Sequence, residues 1–267
     1  MNSNSVKQVK ILNIKIDNVS TVELLQNIKY GGFLVTPNVD HLMKLQKDVD
    51  FYRIYTQADY IVCDSQILLW VSKFLGERIE QKISGSDFFP KFYWHYKNDE
   101  SIKIFLLGGI NEAAQQAQEK INTKINRQIV VGAYSPSMGF EKNSSECQKI
   151  VELINASGAT VLAIGVGAPK QEKWIDKYRK NLPNVRIFMA IGATIDFEAG
   201  MTPRSPQWMS NVGLEWLYRL ILEPRRLWKR YLLSSLPFFW LALLQKINRY
   251  QYKQPIKANK NYYLDKR

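Results

Sequence analysis

The sequence has few of the residues that build cross-links and metal sites. Its 267 residues include two cysteines, Cys63 and Cys147, and two histidines, His41 and His95. Two cysteines do not make a disulfide framework, and these four side chains lack the close spacing of zinc ligands. Such usage is typical of a protein in the reducing cytoplasm. We therefore expect neither a disulfide scaffold nor a metal site.

Long uncharged apolar runs are also missing. The N-terminal stretch MNSNSVKQVKILNI has no apolar core of a secretory signal, so export by that route is not expected. The apolar run Tyr231–Leu244 has 14 residues and contains Pro237. A bilayer-spanning helix needs roughly 20 apolar residues. The run is better suited to lying in a membrane interface, with packing on the core or in an oligomer interface as the alternative.

Acidic residues become scarce after residue 200. From there on the chain has 13 of its 37 lysines and arginines but 3 of its 24 aspartates and glutamates. Most of the formal net charge of +13 therefore belongs to this last quarter. A basic segment suits phosphate-rich partners, such as an anionic membrane surface, a nucleic acid or a diphosphate.

Strand-like and helix-like patterns alternate through residue 200, which predicts an α/β fold. We expect a Rossmann-like, mostly parallel sheet flanked by helices, with right-handed crossovers. Residues 1–200 would form this catalytic domain, 201–249 a basic amphipathic helical appendage that associates with membranes, and 250–267 a polar tail without fixed structure. The predicted strands are residues 9–16, 33–35, 60–63, 103–109, 129–132, 160–164 and 186–192.

The stretch Thr160–Trp174 is the centre of the predicted fold. A buried strand runs into Gly165 and Gly167, and Pro169 suits the start of the next helix. Free N–H groups and the helix dipole make such a junction a natural anion site. An ordinary glycine turn is the alternative, because a short Gly-x-Gly is weak by itself.

Polar residues follow several predicted strands, where α/β proteins bind ligands. Thr36 and Asn38 follow one strand and Asp64 follows the next. Asp64 could be a general base or the N-cap of the following helix. Tyr134 could stack on a nucleobase or be buried. Asp48–Asp50 could hold a metal, although a place in an amphipathic helix favours a solvated face.

Several motifs together resemble the WecG/TagA/CpsF family of bacterial glycosyltransferases. The resemblance covers residues from about 10 to 245, and its most specific motifs are GAPKQEKW and GLEWLYRL. The motifs, in chain order, are TPNVDH at 36–41, Asp64, SGSD at 84–87, IFLLGG at 104–109, GVGAPKQEKW at 165–174, IGATIDFEAG at 191–200, and RSPQW with GLEWLYRLILEPRRLWKRY within 204–231.

The resemblance implies an inverting enzyme that works without a metal or cofactor. Its donor would be a UDP-sugar carrying N-acetylmannosamine, the related uronic acid or a hexose. Its acceptor would be a polyprenyl-diphosphate-linked sugar used for bacterial surface polysaccharide or teichoic acid. Such an enzyme would lie in the cytoplasm at the inner leaflet of the membrane, with no nucleic acid partner. A homo-oligomer with the site at a subunit interface is also implied.

Roles for individual residues follow from the same resemblance. Asp64 would deprotonate the acceptor hydroxyl, with Thr36 and Asn38 beside it as active-site residues. Tyr134 and Asp196 would hold the uridine. The other implied substrate-binding residues are Gly108, Gly109, Gly165, Gly167, Gln171 on the donor sugar or phosphate, Lys82, and Arg219, Arg226 and Arg230 on the diphosphates.

Two positions depart from the family pattern. Ser65 stands where members often have glycine after the aspartate, which allows a loop shaped for another donor. Lys82 stands where arginine is common, and lysine is a point charge rather than a planar fork.

Two other classes compete with this interpretation. An NAD-linked α/β enzyme is disfavoured because no Gly-x-Gly-x-x-Gly follows the first strand. A non-enzymatic RNA- or membrane-binding protein is disfavoured because no RNA-recognition motif is present and the cations cluster around an apolar segment.

Overall fold

The computed structural model describes residues 7–206, 208–209, 212–222, 224–228 and 236–252. It confirms the predicted fold class: a parallel sheet with helices on both faces. The strands are β1 Gln8–Ile11, β2 Ile14–Asp17, β3 Gly32–Val35, β4 Tyr60–Ile61, β5 Ile104–Gly108, β6 Val130–Tyr134, β7 Val161–Gly165 and β8 Ile187–Ala190.

One or two α-helices separate successive strands from β2 to β8, and further helices follow β8. The helices are α1 Thr21–Ile28, α2 Val39–Leu45, α3 Val49–Thr56, α4 Gln66–Leu75, α5 Gly85–His95, α6 Ala113–Ile125, α7 Ser144–Ala156, α8 Lys170–Tyr178, α9 Thr194–Glu198, α10 Glu215–Leu222, α11 Pro224–Trp228 and α12 Leu236–Lys246. Short 3₁₀ turns lie at Phe140–Lys142 and Arg179–Asn181.

The central sheet has the strand order β4-β3-β8-β7-β5-β6, and its neighbours all pair in parallel. Its central strands are apolar throughout because both faces are covered. In β7, Leu162 and Ile164 pack into one hydrophobic layer, while Val161 and Ala163 pack into the other. The sheet therefore separates two cores, and its strands all end at the same edge.

The predicted opening strand, residues 9–16, is instead a hairpin. The antiparallel strands β1 and β2 form a separate two-stranded sheet, with Leu12 at the turn in a left-handed conformation (φ 53°). The hairpin is attached to the edge of the main sheet, because the Ile61 N–H donates to Asp17 Oδ2 at 2.8 Å.

The expected helix around Asp48–Asp50 is also interrupted. The chain leaves the helical path after α2, and Asp48 then caps α3 by accepting from Phe51 N–H at 3.0 Å. The other carboxylate oxygen of Asp48 accepts from Lys173 Nζ at 2.5 Å. Asp48 is therefore a helix cap and a link to α8.

The C-terminal helix α12 packs on α2 and α4 of the main body. Phe238 and Ala242 are buried in the same core layer as the β1–β2 hairpin. The Gln245 side chain adds two hydrogen bonds. Its Nε2 donates to Lys10 O at 2.9 Å, and its Oε1 accepts from Leu12 N–H at 2.7 Å. The segment 236–252 is thus joined to the body by burial and by hydrogen bonds.

Among the helices that the structure describes, none combines the length and the apolar character needed to cross a membrane.

Candidate active site

A cavity of about 420 Å³ lies at the carboxyl ends of the parallel strands. This is where an open α/β sheet places its ligands, because the strand-to-helix loops converge there. The lining comprises Thr36, Asn38, His41, Asp64, Gly85, Ser86, Gly109, Ile110, residues 136–141, residues 165–168, Lys170, Gln171, residues 191–194, Asp196 and Phe197.

Three glycine-containing turns, after β5, β7 and β8, form the floor of this cavity. The Gly109 N–H donates to Gly165 O at 3.3 Å. A Cβ on Gly108 would lie 2.5 Å from Gly165 O, and a Cβ on Gly165 would lie 2.4 Å from Gly192 O. Any side chain at Gly108 or Gly165 would therefore push the turns apart. Of the predicted glycines, Gly108 and Gly165 therefore act through close backbone packing at this floor.

Gln171 connects two of these turns. Its Oε1 accepts from Gly167 N–H at 3.2 Å and from Gly192 N–H at 3.3 Å, and its Nε2 donates to Glu172 Oε1 at 2.9 Å. Gln171 does line the cavity, yet it is 2% exposed and its amide oxygen already serves the protein backbone. A side chain of α8 therefore supplies the hydrogen-bond acceptor for the backbone of the turn that leads into this helix.

Thr36, Asn38 and Asp64 come together on one wall, as the sequence predicts for neighbouring strand ends. The loops after β3 and β4 are joined by a hydrogen bond from Asp64 N–H to Pro37 O at 3.0 Å. Asn38 caps α2, because its Oδ1 accepts from His41 N–H at 3.1 Å. The N-cap residue of α4 is Ser65, and Asp64 directly precedes it.

A buried polar layer that was not predicted lies behind this wall. The Tyr55 hydroxyl is 2.6 Å from Nδ1 of His41, which lines the cavity. Lys44 Nζ donates to Asp40 Oδ2 at 2.8 Å and to Ala168 O at 3.0 Å. The lysine therefore ties α2 to the turn after β7. The histidine in TPNVDH was the one local signal that could have indicated this layer.

Asp196 lies on the opposite wall, at the start of α9. Its Oδ1 would be 3.2 Å from a Cβ on Gly109, which places the carboxylate directly beside the turn after β5. Nearby, the Arg204 guanidinium donates to Ser86 O and lies 5.6 Å from the Phe197 ring. Arg204 belongs to the RSPQW motif, and no role was predicted for it.

The rim opposite Asp64 comes from residues 136–141, which follow β6. Glu141 Oε1 lies 3.9 Å from Nζ of Lys170, the first residue of α8. Both residues line the cavity and neither was predicted. Gly139, which starts the 3₁₀ turn, was the available sequence signal for a shaped loop.

Three predicted residues do not line the cavity. Tyr134 lies beside α7, with its hydroxyl 3.4 Å from Glu146 Oε1 and Lys149 Nζ 5.6 Å from its ring. Gly108 ends β5 and its carbonyl accepts from Ser135 Oγ at 3.1 Å. Lys82 lies in the segment before α5, where the next residue, Ile83, donates its N–H to Cys63 O at 2.7 Å.

The arginines predicted to bind the diphosphates cannot be placed. Arg219 and Arg226 belong to α10 and α11, but their side chains are not described, and Arg230 lies outside the described residues.

Burial shifts the titration of groups near the floor. It raises the pKa of Glu172 to about 7, with the Gln171 hydrogen bond and Lys44 opposing the shift. Burial also raises the pKa of Tyr55, and the nearby carboxylates of Glu172, Asp64 and Asp40 add to it. It raises the pKa of the Cys63 thiol to about 12, so Cys63 is not a reactive nucleophile.

Known proteins match this chain over most of its length. The model of the "Glycosyl transferase WecG/TagA/CpsF family" matches residues 9–252. A curated N-acetylglucosaminyldiphosphoundecaprenol N-acetyl-beta-D-mannosaminyltransferase from Bacillus subtilis (strain 168) is 29% identical over 82% of this chain and 81% of its own. The enzyme of that name from Bacillus spizizenii is 28% identical over 86% and 84%. A match of this extent to the family's model makes the chain a member of the WecG/TagA/CpsF family of glycosyltransferases.

Proposed function

We propose that the chain transfers N-acetylmannosamine or a related sugar from a UDP-sugar to N-acetylglucosamine on a polyprenyl diphosphate, with inversion and without a metal. The observation that carries this proposal is the cavity itself. It combines the Asp64 carboxylate with Thr36 and Asn38 on one wall and the glycine floor with Asp196 on the other. The proposed acceptor is the one for which the two Bacillus relatives are named.

The first wall would supply the base. Asp64 would take the proton from the attacking hydroxyl of the acceptor sugar. The hydroxyl oxygen then forms the new bond to the anomeric carbon of the donor. A carboxylate in the half-buried position of Asp64 is suited to this role, because it can be reached by substrate and is held by the Pro37 contact.

The other wall would hold the nucleotide. As the bond between the anomeric carbon and the phosphate oxygen breaks, its electron pair stays with UDP, which leaves on the face opposite the attack. The charge that develops on UDP needs donors in place before the reaction. Lys170 on the cavity rim, backbone N–H groups, and Arg219, Arg226 and Arg230 are the proposed donors, and Asp196 would contact the uridine.

An apolar face would place the enzyme at the inner leaflet of the cytoplasmic membrane. We use "α4–α12 face" for Trp70 and Phe74 on α4 with Phe239 and Leu243 on α12. These side chains are between 42% and 52% exposed and border a groove of about 320 Å³. Lys246 Nζ lies 5.7 Å from the Phe74 ring and adds a cation. Exposed aromatics with adjacent lysines suit an anionic lipid surface.

The deciding experiment measures transfer from a panel of UDP-sugars to a short-chain lipid-diphosphate-linked N-acetylglucosamine, with and without EDTA. We expect one N-acetylmannosamine-type donor to be used, an inverted product by NMR, and no loss of rate with EDTA. Loss of rate with EDTA would overturn the metal-independent mechanism. No transfer from any donor, together with no binding of UDP by calorimetry, would overturn the proposed donor and acceptor.

A further inference from the structure

Two neighbouring polar side chains are buried under the cavity floor at the start of α8. Gln171 is 2% exposed and Glu172 is fully buried. Residues i and i+1 of a helix point in different directions, and yet these two side chains meet through one hydrogen bond of 2.9 Å. Burying a carboxyl group costs free energy unless its partners compensate. A buried glutamate at this place therefore needs an explanation.

The hydrogen bonds of Gln171 depend on which way its amide points. With the oxygen toward Gly167 and Gly192, it accepts two backbone N–H groups, and its NH₂ meets Glu172. Turned by half a rotation, the NH₂ would face two donors and the oxygen would face a carboxyl oxygen. An amide has no intrinsic preference between the two orientations. The two glycine N–H groups favour the first orientation, and Glu172 completes it by supplying the acceptor for the NH₂ group.

Glu172 has no comparable second use in the described part of the chain. Its Oε2 is buried and has no hydrogen-bond partner among the described residues. Lys44, the nearby cation, is engaged with Asp40 and with the carbonyl of Ala168. Its other described interactions are with its own backbone N–H and with the charge of Lys44, so Gln171 is the side chain to which the carboxyl group is hydrogen-bonded.

We propose that Glu172 is a positioning residue for sugar transfer. Its carboxyl group orients the Gln171 amide, whose oxygen holds the turns after β7 and β8 at the spacing that the donor requires. The kinetic part of this inference rests on the proposed function. Glu172 itself does not line the cavity, so it acts through Gln171 and through the two glycine turns.

An exchange of the two side chains tests the pairing. Gln171→Glu alone places two carboxylates side by side, and we expect kcat/KM for the donor to fall by about 30-fold or more. Glu172→Gln alone keeps an acceptor oxygen, and we expect a fall of less than about fivefold. In the double variant, the carboxylate introduced at position 171 would accept both glycine N–H groups and the new amide at position 172. We expect kcat/KM to return to within about fivefold of the wild type.

The split between kinetic constants separates positioning from mere structure. A spacing defect in the donor-binding turns should appear mainly as a higher KM for the UDP-sugar. A double variant no better than Gln171→Glu would overturn the proposal. The proposal would also be overturned if the variants differed in melting temperature while their KM values for the UDP-sugar were the same.

Amide hydrogen exchange in the ligand-free protein tests the pairing without the reaction. In Glu172→Leu we expect protection of Gly167 and Gly192 N–H to fall by about tenfold, since the buried NH₂ of Gln171 loses its acceptor and no longer holds the amide in place. Gly109 N–H, which donates to Gly165 O, is the internal reference. Glu119→Gln, an exposed change of the same charge on α6, is the matched control.

The kinetic experiment and the hydrogen-exchange experiment can fail independently of each other. If the wild type transfers no sugar from any donor, the proposed function fails, whereas the exchange result still decides whether Glu172 orients Gln171. Unchanged protection of both glycines in Glu172→Leu would overturn the positioning role even in an active enzyme.

Discussion

The cavity floor and the α4–α12 face depart from ordinary protein architecture in opposite ways. At the floor, the polar side chains of Gln171 and Glu172 are buried. On the face, the aromatic rings of Trp70, Phe74 and Phe239 are about half exposed. Both arrangements cost stability, because buried polar groups lose water and exposed apolar groups retain it. Each is therefore a place where we expect function to have shaped the sequence.

The two regions also differ in how they tolerate change. The floor depends on close backbone contacts at its glycines and on directional hydrogen bonds. Adding or removing a single atom can therefore disrupt it. Binding through the α4–α12 face would depend on the total apolar area in contact. This contribution has no directional requirement and decreases in proportion to the area removed. Substitutions at the cavity should therefore act sharply on catalysis, and those on the face should act in proportion to the area removed.

Asp64→Asn should give the largest effect on the cavity side of this comparison. The amide cannot take the proton from the acceptor, so we expect transfer to fall by about 10²- to 10⁴-fold. Binding of UDP should persist, because the donor wall is unchanged. Product formation and calorimetry with UDP measure the two quantities. Loss of UDP binding by the Asp64→Asn variant in its folded state would contradict the base role.

Phe238→Ala and Phe239→Ala sharpen the comparison within one helix. Phe238 is fully buried, whereas its neighbour Phe239 is 50% exposed. We expect the first change to lower the free energy of unfolding by about 3–5 kcal/mol. The second should change it by less than about 1 kcal/mol. Urea unfolding measures both.

Equal stabilities of these two variants would show that α12 is not part of the core. The pair is also a better test of the C-terminal segment than a truncation at residue 200, which would remove Phe238 together with any membrane contact.

Glu172→Gln should change how stability depends on pH. The folded pKa of about 7 lies above the ordinary value of 4.5. Between these values the folded state keeps a proton that the unfolded state has released. The stability of the wild type therefore falls as the pH rises from about 4.5 to about 7. Lys44 and Tyr55 are the other titratable groups around this carboxyl.

The glutamine variant lacks this titration. We expect its free energy of unfolding to exceed that of the wild type at pH 8 by on the order of 3 kcal/mol, and to match it near pH 4.5. Chemical unfolding at several pH values measures the difference, with Glu119→Gln as the surface control. A difference that stays constant with pH would contradict the raised pKa.

The smallest expected effect is on the α4–α12 face. Phe74→Ala combined with Phe239→Ala removes two half-exposed rings, and we expect partitioning onto anionic vesicles to weaken by about tenfold. Trp94→Ala is the matched control, because Trp94 is a similarly exposed ring on α5. Vesicle co-sedimentation measures binding. Unchanged vesicle binding together with a smaller assembly in solution would identify the face as a subunit interface.

Much of the fold could be predicted, since its strands are short apolar runs followed by glycine or by polar residues. The walls of the cavity were also predictable in part. Parallel strands end at one edge, so Asp64 and Thr36 meet although they are far apart in the sequence. Asp196 reaches the same cavity from the last strand for the same reason.

The polar layer under the floor could not be predicted. In GAPKQEKW, Glu172 stands between Gln171 and Lys173 and resembles an exposed residue of a first helical turn. Its burial results from the packing of α3 against α8, a contact between residues more than a hundred positions apart. No local pattern encodes such a contact.

Tyr134 and the apolar run near the C-terminus show two other limits. The direction of Tyr134 depends on the pleat of β6, where a shift of one residue exchanges the two faces of the sheet. The run that forms α12 is apolar on all sides, so its sequence does not indicate which face is buried. The way α12 packs on α2 and α4 leaves Phe238 buried and Phe239 half exposed.

The β1–β2 hairpin has a consequence for how copies of the chain behave at high concentration. The two-residue strand β4 pairs with β3. On its other side, Asp17 accepts a hydrogen bond from Ile61 N–H. The second carboxylate oxygen of Asp17 accepts from Gln8 Nε2 at 2.8 Å. An unpaired strand edge is a template for fibril growth. A foreign strand adding at β4 would have to displace this carboxylate and bury its charge. We therefore expect the hairpin to hinder strand addition at this edge of the sheet.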